Sequence, residues 1–203
     1  VPGSTSPWLV EAELLRASAD PEAAIELLEV AARRFDDAAL RSELATAYAE
    51  SGRLRRAETV LWGLYEDADS VTERVRWAGR MAELLRWSDR FEGLVEQLER
   101  RRTRDRRDIG IYLALAEVHR VGESYEARRQ ALLEAARIDP DNLQLLLEIA
   151  RVEEREGDWE RSRRTLQRAQ ALGDGGQVTL RLARLSILEG DAAGAIAAIT
   201  APD

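Results

Sequence analysis

The stretch from Tyr125 to Asn142 reads YEARRQALLEAARIDPDN. Its apolar residues recur at helical spacing and predict one buried stripe along a helix, at Leu132, Ala135, Ala136 and Ile138. Asp139-Pro140 ends this helix, because proline lacks an amide hydrogen and disfavours helical geometry in the residue before it.

A second helix is predicted directly after this turn. Asp141 can cap it, and its buried stripe is predicted at Leu143, Leu146, Leu147 and Ile149. The whole stretch therefore predicts a helix, a tight turn and a second helix.

The same unit recurs along the chain. A small residue in each first helix stands at Ala12, Ala45, Ala82, Ala116, Ala150 and Ala183, in steps of 33, 37, 34, 34 and 33 residues. A branched apolar residue in each second helix follows the same steps, at Leu28, Leu61, Leu98, Leu132, Leu166 and Ile199. Two independent series with one spacing identify about six helix-turn-helix repeats.

The repeats are predicted at residues 7–37, 38–70, 71–108, 109–142, 143–176 and 177–203, in one domain that spans residues 7–203. Residues 1–6 are rich in Pro, Gly and Ser and are predicted to be a leader or linker. Helices are predicted to start at Ser6-Pro7 and Asp20-Pro21, and glycine-containing turns are predicted at Ser51-Gly52, Gly157-Asp158 and Gly190-Asp191.

A helical repeat of this length resembles the tetratricopeptide repeat (TPR). Repeat two carries the resemblance at Leu44, Ala45, Tyr48, Gly52, Ala57 and Leu61. Repeat four carries it at Tyr112, Leu115, Ala116, Tyr125, Leu132, Ala135 and Pro140, and repeat five at Leu146, Ile149, Ala150, Gly157, Trp159, Leu166 and Ala169. Arg128 and Ser162 depart from it, because they replace the usual alanine of the second helix. The resemblance implies an all-α, right-handed superhelical solenoid in which each repeat buries its stripe against its neighbours.

In TPR arrays the first helices line a concave groove that receives a protein partner. Carried onto repeats three to six, these groove positions hold Arg76, Arg80, Glu83, Trp87, Glu117, Arg120, Arg151, Arg155, Arg181 and Arg184. Arginine outnumbers glutamate here, so we expect a groove more positive than the whole chain, suited to an acidic peptide. The alternative is that these arginines only pair with neighbouring glutamates, which contributes little at a surface. We expect Trp87 to be an exposed anchor in the groove and Trp8, Trp62, Trp77 and Trp159 to belong to the core.

Composition limits the function classes. The chain has 203 residues, is 45% hydrophobic and carries a net charge of -8, which argues against binding to nucleic acid or anionic membranes. No apolar run reaches the roughly 20 residues that span a bilayer. All 30 basic residues are arginine. This indicates the codon use of a GC-rich, bacterial genome. The alternative is a surface selected for bidentate hydrogen bonds from arginine to carboxylate or phosphate groups.

No enzyme site, cofactor or metal is expected. Cysteine is absent and His119 is the single histidine, so a zinc site and a nucleophilic triad lack their residues. We expect His119 to be structural. The segment Arg100–Arg107 holds six arginines in eight residues and is interpreted first as a solvated helix end. Contact with a protein or with nucleic acid is the alternative.

The sequence thus predicts a non-enzymatic scaffold that binds a partner segment in its groove, within a bacterial multiprotein assembly. The alternative is a helper or assembly domain of a larger secretion, envelope or enzyme system, and nucleic-acid binding through Arg100–Arg107 is less favoured. The compartment stays open between cytoplasm and periplasm. Because Ala192–Ala201 is almost entirely small and apolar, we expect that the chain is a piece of a longer protein, or that this end packs on a partner or a second copy.

Overall fold

The computed structural model describes residues 5–18, 20–173 and 176–200, and within them it contains twelve α-helices and no strand. The helices are α1 (Ser6–Ala17), α2 (Pro21–Arg34), α3 (Ala38–Glu50), α4 (Leu54–Glu66), α5 (Val71–Leu85), α6 (Arg90–Arg104), α7 (Ile109–Val121), α8 (Tyr125–Ile138), α9 (Leu143–Glu156), α10 (Trp159–Ala171), α11 (Gln177–Leu188) and α12 (Ala192–Thr200). Each predicted repeat contains two of them, which confirms the all-α fold of TPR-like hairpins. Most of the predicted leader, at residues 1–4, lies outside the described residues.

Side-chain caps begin several of the helices. Asp20 accepts a hydrogen bond from the amide of Ala23 at 3.1 Å, as predicted for the start of α2. The cap of α9 is Asn142, whose Oδ1 accepts from the amide of Leu145 at 3.1 Å. The prediction of Asp141 was therefore wrong, since α9 begins at Leu143 and Asp141 lies one residue too early.

The start of α1 also differs from the prediction. Ser6 is already the first helical residue, and Thr5 precedes the helix without a side-chain cap. The hydroxyl of Thr5 donates instead to Asp37 Oδ2, 3.1 Å away, and so connects the start of α1 to the start of α3.

The predicted turns contain glycine in the left-handed region. Gly52, Gly157 and Gly190 have φ angles of 73°, 76° and 83°, which residues with a Cβ atom adopt only at a cost. The residue 34 positions before Gly157 is Glu123, which has a φ of 58° without being glycine. Repeat four therefore makes the same turn with a strained residue.

The chain forms two compact units, one up to Arg101 and one from Arg102 onward. In the first unit, consecutive helices from α1 to α5 pack on each other, and α1 also contacts α3. Helix α6 is joined to α4 through Glu58, which is buried and accepts hydrogen bonds from Arg90 Nε at 2.8 Å and Gln97 Nε2 at 2.9 Å.

In the second unit, each helix from α7 to α12 packs on the next. One core cluster joins α9, α10 and α11 and consists of Leu146, Leu147, Ala150, Leu166, Ala169, Val178, Leu182 and Leu185. Adjacent repeats thus share one apolar layer, as expected of a repeat protein.

The residues of the two repeat series lie largely in the core. All six small residues of the first helices are buried, and so are the first five branched residues of the second helices. The sixth, Ile199, is 54% exposed. Ile138 is also exposed, contrary to the prediction, because it is the last residue of α8.

Candidate partner-binding groove

The first helices of repeats one, two and three line a groove in the first unit. Its volume is about 990 Å³. Helices α1, α3 and α5 contribute its lining, at Leu9, Glu13, Arg16, Ala17, Ala39, Ser42, Glu43, Thr46, Glu50, Arg76, Trp77 and Arg80.

Arg16 connects α1 to α3 on one side of the groove. Its Nε donates to Glu50 Oε2 at 2.8 Å, its Nη1 donates to Glu43 Oε2 at 2.9 Å, and its Nη2 donates to the second carboxylate oxygen of Glu50. These hydrogen bonds with Glu50, together with the charges of both glutamates, raise the pKa of Arg16 although partial burial opposes them. Arg16 therefore holds the two carboxylates in fixed positions.

Arg80 makes the corresponding connection between α5 and α3. Its Nη2 donates to the hydroxyl of Thr46 at 2.9 Å, and its Nη1 donates to Glu83 Oε2 at 3.1 Å. The Thr46 hydroxyl donates in turn to the carbonyl of Ser42 at 3.0 Å. Since Thr46 is buried, this chain of hydrogen bonds fixes the guanidinium group at the groove surface.

Arg76 lies one turn before Arg80 on α5. Its guanidinium carbon is 4.2 Å from the ring centroid of Trp77, a cation–π contact. Its nearest carboxylate is that of Glu73 at 3.9 Å, and 59% of its side chain is exposed. Arg76 is thus the groove arginine with the most exposed side chain.

The charges of the groove are separated between its walls. The lining residues of α1 and α3 include three carboxylates, Glu13, Glu43 and Glu50, and one cation, Arg16. Those of α5 include two cations, Arg76 and Arg80, and no carboxylate. The groove is therefore balanced in charge overall, with an acidic wall on α1 and α3 and a basic wall on α5.

Of the predicted groove residues, Arg76 and Arg80 line this groove, and Glu83 supports Arg80. Trp87 lies in the turn after α5, where it is 88% exposed and stacks with Arg86, whose guanidinium carbon is 4.6 Å from the ring centroid. It is not among the lining residues. Trp62 and Trp77 are buried as predicted and Trp8 is half-buried, but Trp159, the first residue of α10, is exposed.

The groove residues of repeats one and two were missed by the sequence analysis, which placed the site in repeats three to six. They are Glu13, Arg16, Glu43, Thr46 and Glu50. A signal for two of them was present, because Glu13 and Thr46 directly follow the small residues Ala12 and Ala45, as the predicted Glu83 and Glu117 follow Ala82 and Ala116.

The remaining predicted residues belong to the second unit. Glu117 pairs with Arg120 at 2.6 Å, and Arg151 pairs with Glu148. Arg181 connects α11 to α9, because it donates to the carbonyl of Leu147 at 3.1 Å and to Glu154 Oε1 at 2.8 Å. Arg155 and Arg184 are exposed. Whether these residues contact a partner stays a prediction.

Two polar residues that replace the usual alanine of the repeat are buried in the second unit. Arg128 donates to Glu148 Oε2 at 2.8 Å, and burial lowers its pKa despite the charge of Glu148. Ser162 is fully buried and donates to Glu154 Oε1 at 3.3 Å. Nearby, Glu153 accepts from Thr165 at 2.8 Å, and burial raises the pKa of Glu153.

The arginine-rich segment does not form one continuous free surface. Arg101 pairs with Glu66 and lies 4.1 Å from the ring centroid of Trp62, and Arg100 pairs with Glu96 at 2.7 Å. Arg104, Arg106 and Arg107 are exposed. Nucleic-acid binding through Arg100–Arg107 stays a prediction.

No group of three or more histidine or carboxylate side chains in the described part of the chain is arranged to hold a metal ion. His119 is half-buried on α7. None of the described helices combines the length and the apolarity that a bilayer span requires.

No protein-family model matches the chain, and no curated protein matches it. Among solved structures, TTC0263, a thermophilic TPR protein of Thermus thermophilus, is 22% identical with a TM-score of 0.46, covering 80% of this chain and 88% of that chain. MamA from Desulfovibrio magneticus RS-1 is 18% identical with a TM-score of 0.42, and the match covers 83% of this chain and 94% of that chain. A further MamA structure, AMB-1, is 17% identical with a TM-score of 0.49, and the match covers 79% of this chain and 87% of that chain. These likenesses concern the fold alone.

Proposed function

We propose that this protein is a non-enzymatic interaction scaffold and that a segment of a partner protein binds across α1, α3 and α5 in the groove of the first unit. The observation that carries this proposal is that groove side chains are held in place before any partner binds. Arg16 fixes Glu43 and Glu50, and Thr46 fixes Arg80. Preorganised groups lose less conformational entropy on binding, which favours their use as a recognition surface.

The wall charges define the chemistry of the partner segment. A carboxylate of the partner matches Arg76 and Arg80 on α5, because arginine binds carboxylates through paired hydrogen bonds. A lysine or arginine of the partner matches the acidic wall formed by Glu13, Glu43 and Glu50. The partner segment therefore carries both charges, with apolar side chains between them that contact Leu9 and Trp77. This proposal keeps the acidic group expected from the sequence and adds a cation.

Selection of peptides from a displayed random library on the purified chain tests this function. The selected peptides are expected to carry an acidic and a basic residue at a repeated spacing. Binding is then measured by calorimetry on the wild-type chain and on the double variant Arg76→Glu, Arg80→Glu. We expect the affinity to fall by about tenfold or more, because each lost charge-assisted hydrogen bond is worth about 1.5 kcal/mol or more.

A matched control carries the same charge change outside the groove. Arg34 and Arg55 are exposed on the second helices α2 and α4 and do not line the groove. The double variant Arg34→Glu, Arg55→Glu should bind the selected peptides as the wild type does. If the groove variant binds the selected peptides as tightly as the wild type does, the peptides do not bind in the groove and the proposal is wrong.

A further inference from the structure

The groove in the first unit also constrains the conformation of the segment that it binds. Every lining residue named above lies within α1, α3 or α5. Residues inside a helix bond their amides and carbonyls to one another. The amide of Ala39, in the first turn of α3, donates to Asp37 Oδ1 at 2.8 Å. The groove therefore presents side chains, and few backbone groups, to a partner.

Most of the polar side chains in the groove are already hydrogen-bonded to each other. Arg16 donates to Glu43 and Glu50. Arg80 donates to the hydroxyl of Thr46, which itself donates to a carbonyl within α3. An extended segment would bring one amide and one carbonyl per residue, and these side chains could bind them only by giving up their present partners. Because a desolvated backbone group without a partner is costly, the groove disfavours an extended segment.

The usual ways of binding an extended peptide require features that the described part of this groove lacks. Strand addition needs an exposed strand edge, and the described residues contain no strand. Polyproline binding needs a surface of exposed aromatic rings, whereas Trp77 is buried and stacks with Arg76. Capture of a terminal carboxylate in a backbone nest needs amides outside a helix. A bound helix requires none of these features, since it satisfies its own backbone groups.

The distribution of charge in the groove also matches a helix. Acidic side chains line α1 and α3, basic side chains line α5, and apolar side chains are present on both walls at Leu9 and Trp77. A strand directs only every second side chain toward a groove. A helix turns by about 100° per residue and presents an apolar stripe with a polar flank on each side. A partner that meets two oppositely charged walls at once therefore fits the surface of a helix.

We propose that the partner segment binds this groove as an amphipathic α-helix, an inference that rests on the function proposed above. One flank of its apolar stripe carries Lys or Arg and faces Glu13, Glu43 and Glu50. The other flank carries Asp or Glu and faces Arg76 and Arg80. The contact residues of the partner should therefore recur at the helical spacings i+3, i+4 and i+7, in contrast to the even spacings of a strand.

Peptides selected from a linear random library, as above, are the probes. In one selected peptide, a lactam bridge joins two residues one helical turn apart at positions where alanine leaves the affinity unchanged. We expect this peptide to bind the 203-residue chain at least about tenfold more tightly than the same sequence with the bridge open, because less conformational entropy is lost. Proline in the middle of the peptide should weaken binding at least about tenfold. Proline at its first position, which a helix tolerates, should change the affinity little.

Carbon chemical shifts of the labelled peptide in the complex measure its conformation directly. Helical shifts together with the lactam and proline effects support the inference. A peptide that loses affinity for Arg76→Glu, Arg80→Glu, but not for the control variant Arg34→Glu, Arg55→Glu, binds in the groove. If such a peptide has extended shifts and tolerates central proline, the inference is overturned while the proposed function stands. If no selected peptide depends on Arg76 and Arg80, the proposed function fails and this inference fails with it.

Discussion

Arg80 on α5 donates a hydrogen bond to the hydroxyl of Thr46 on α3, with 2.9 Å between Nη2 and Oγ1. The two residues are 34 positions apart, in the first helices of adjacent repeats, and both line the groove. The Thr46 hydroxyl donates in turn to the carbonyl of Ser42. A buried threonine of one repeat therefore positions a half-buried arginine of the next at the surface that we propose to bind a partner.

Thr46→Val tests this positioning. Valine keeps the shape of threonine but removes the acceptor for Arg80, so the free energy of unfolding should fall by about 1 kcal/mol. The affinity for a selected groove peptide should fall as well, because Arg80 loses its fixed position. Urea unfolding and calorimetry measure the two effects.

Thr59→Val is the control for this variant. The hydroxyl of Thr59 donates to the carbonyl of Arg55 within α4, and Thr59 is exposed outside the groove. Its peptide affinity should equal that of the wild type. If Thr46→Val binds the peptide with wild-type affinity too, the threonine has no role in recognition.

The ion pair of Arg128 and Glu148 predicts an asymmetric mutational effect. Glu148→Gln leaves the guanidinium group of Arg128 in a buried site without its carboxylate, and we expect it to cost about 1–3 kcal/mol, less than for a fully buried pair. Arg128→Met removes the buried charge and should be close to neutral. Both are measured by urea unfolding.

An exposed pair supplies the comparison. Glu160 and Arg164 are both largely exposed on α10, so Glu160→Gln should change the free energy of unfolding by no more than about 0.5 kcal/mol. A Glu148→Gln variant as stable as Glu160→Gln would show that Arg128 is well solvated in the folded chain.

Glu153 predicts a pH dependence of stability. Burial raises its folded pKa above the ordinary value of 4.5, so the folded chain binds a proton more tightly than the unfolded chain does. The contribution of Glu153 to stability is therefore most favourable below pH 4.5 and declines as the pH rises through the raised folded pKa.

Glu153→Gln removes this titration while it keeps an acceptor for the Thr165 hydroxyl. Relative to the variant, the wild type should lose stability as the pH rises from 4.5 toward neutrality. Urea unfolding at a series of pH values measures the difference. If the free energies of unfolding of the two proteins change in parallel with pH, the raised pKa of Glu153 is contradicted.

The turn of repeat four predicts a stabilising substitution. Glu123 has a left-handed φ where repeat five has Gly157, so Glu123→Gly should raise the free energy of unfolding by up to about 1 kcal/mol. Gly157→Ala should lower it by about 1 kcal/mol. Thermal unfolding followed by circular dichroism distinguishes the two, and a loss of stability in Glu123→Gly would contradict this reasoning.

The repeat could be predicted from the sequence because its periodic residues are those that the fold buries. Ala45 and Leu61 recur at one spacing since every hairpin packs on its neighbours in the same way. Ile199 continues the series in sequence but not in burial. Periodicity alone does not show whether a following helix covers a residue.

The candidate site was less accessible to sequence reasoning. Arg76 and Arg80 were found from the resemblance, but Arg16 and its partners lie in repeats that were not assigned to the groove. The resemblance gives positions, whereas the charge separation between the walls depends on which helices lie together. Arginine counts alone predicted a positive groove, because they do not show that Arg16 is paired with Glu43 and Glu50.

Site-specific photo-crosslinking in cells of the source organism tests the central claim most directly. A photoreactive amino acid is placed at Ser42 in the groove, or at Thr59 outside it as a control. The account predicts a discrete crosslinked partner from position 42 that is lost when Arg76→Glu and Arg80→Glu are added, and none from position 59. A partner captured from position 59 alone, or captured from position 42 regardless of the two arginines, would contradict it.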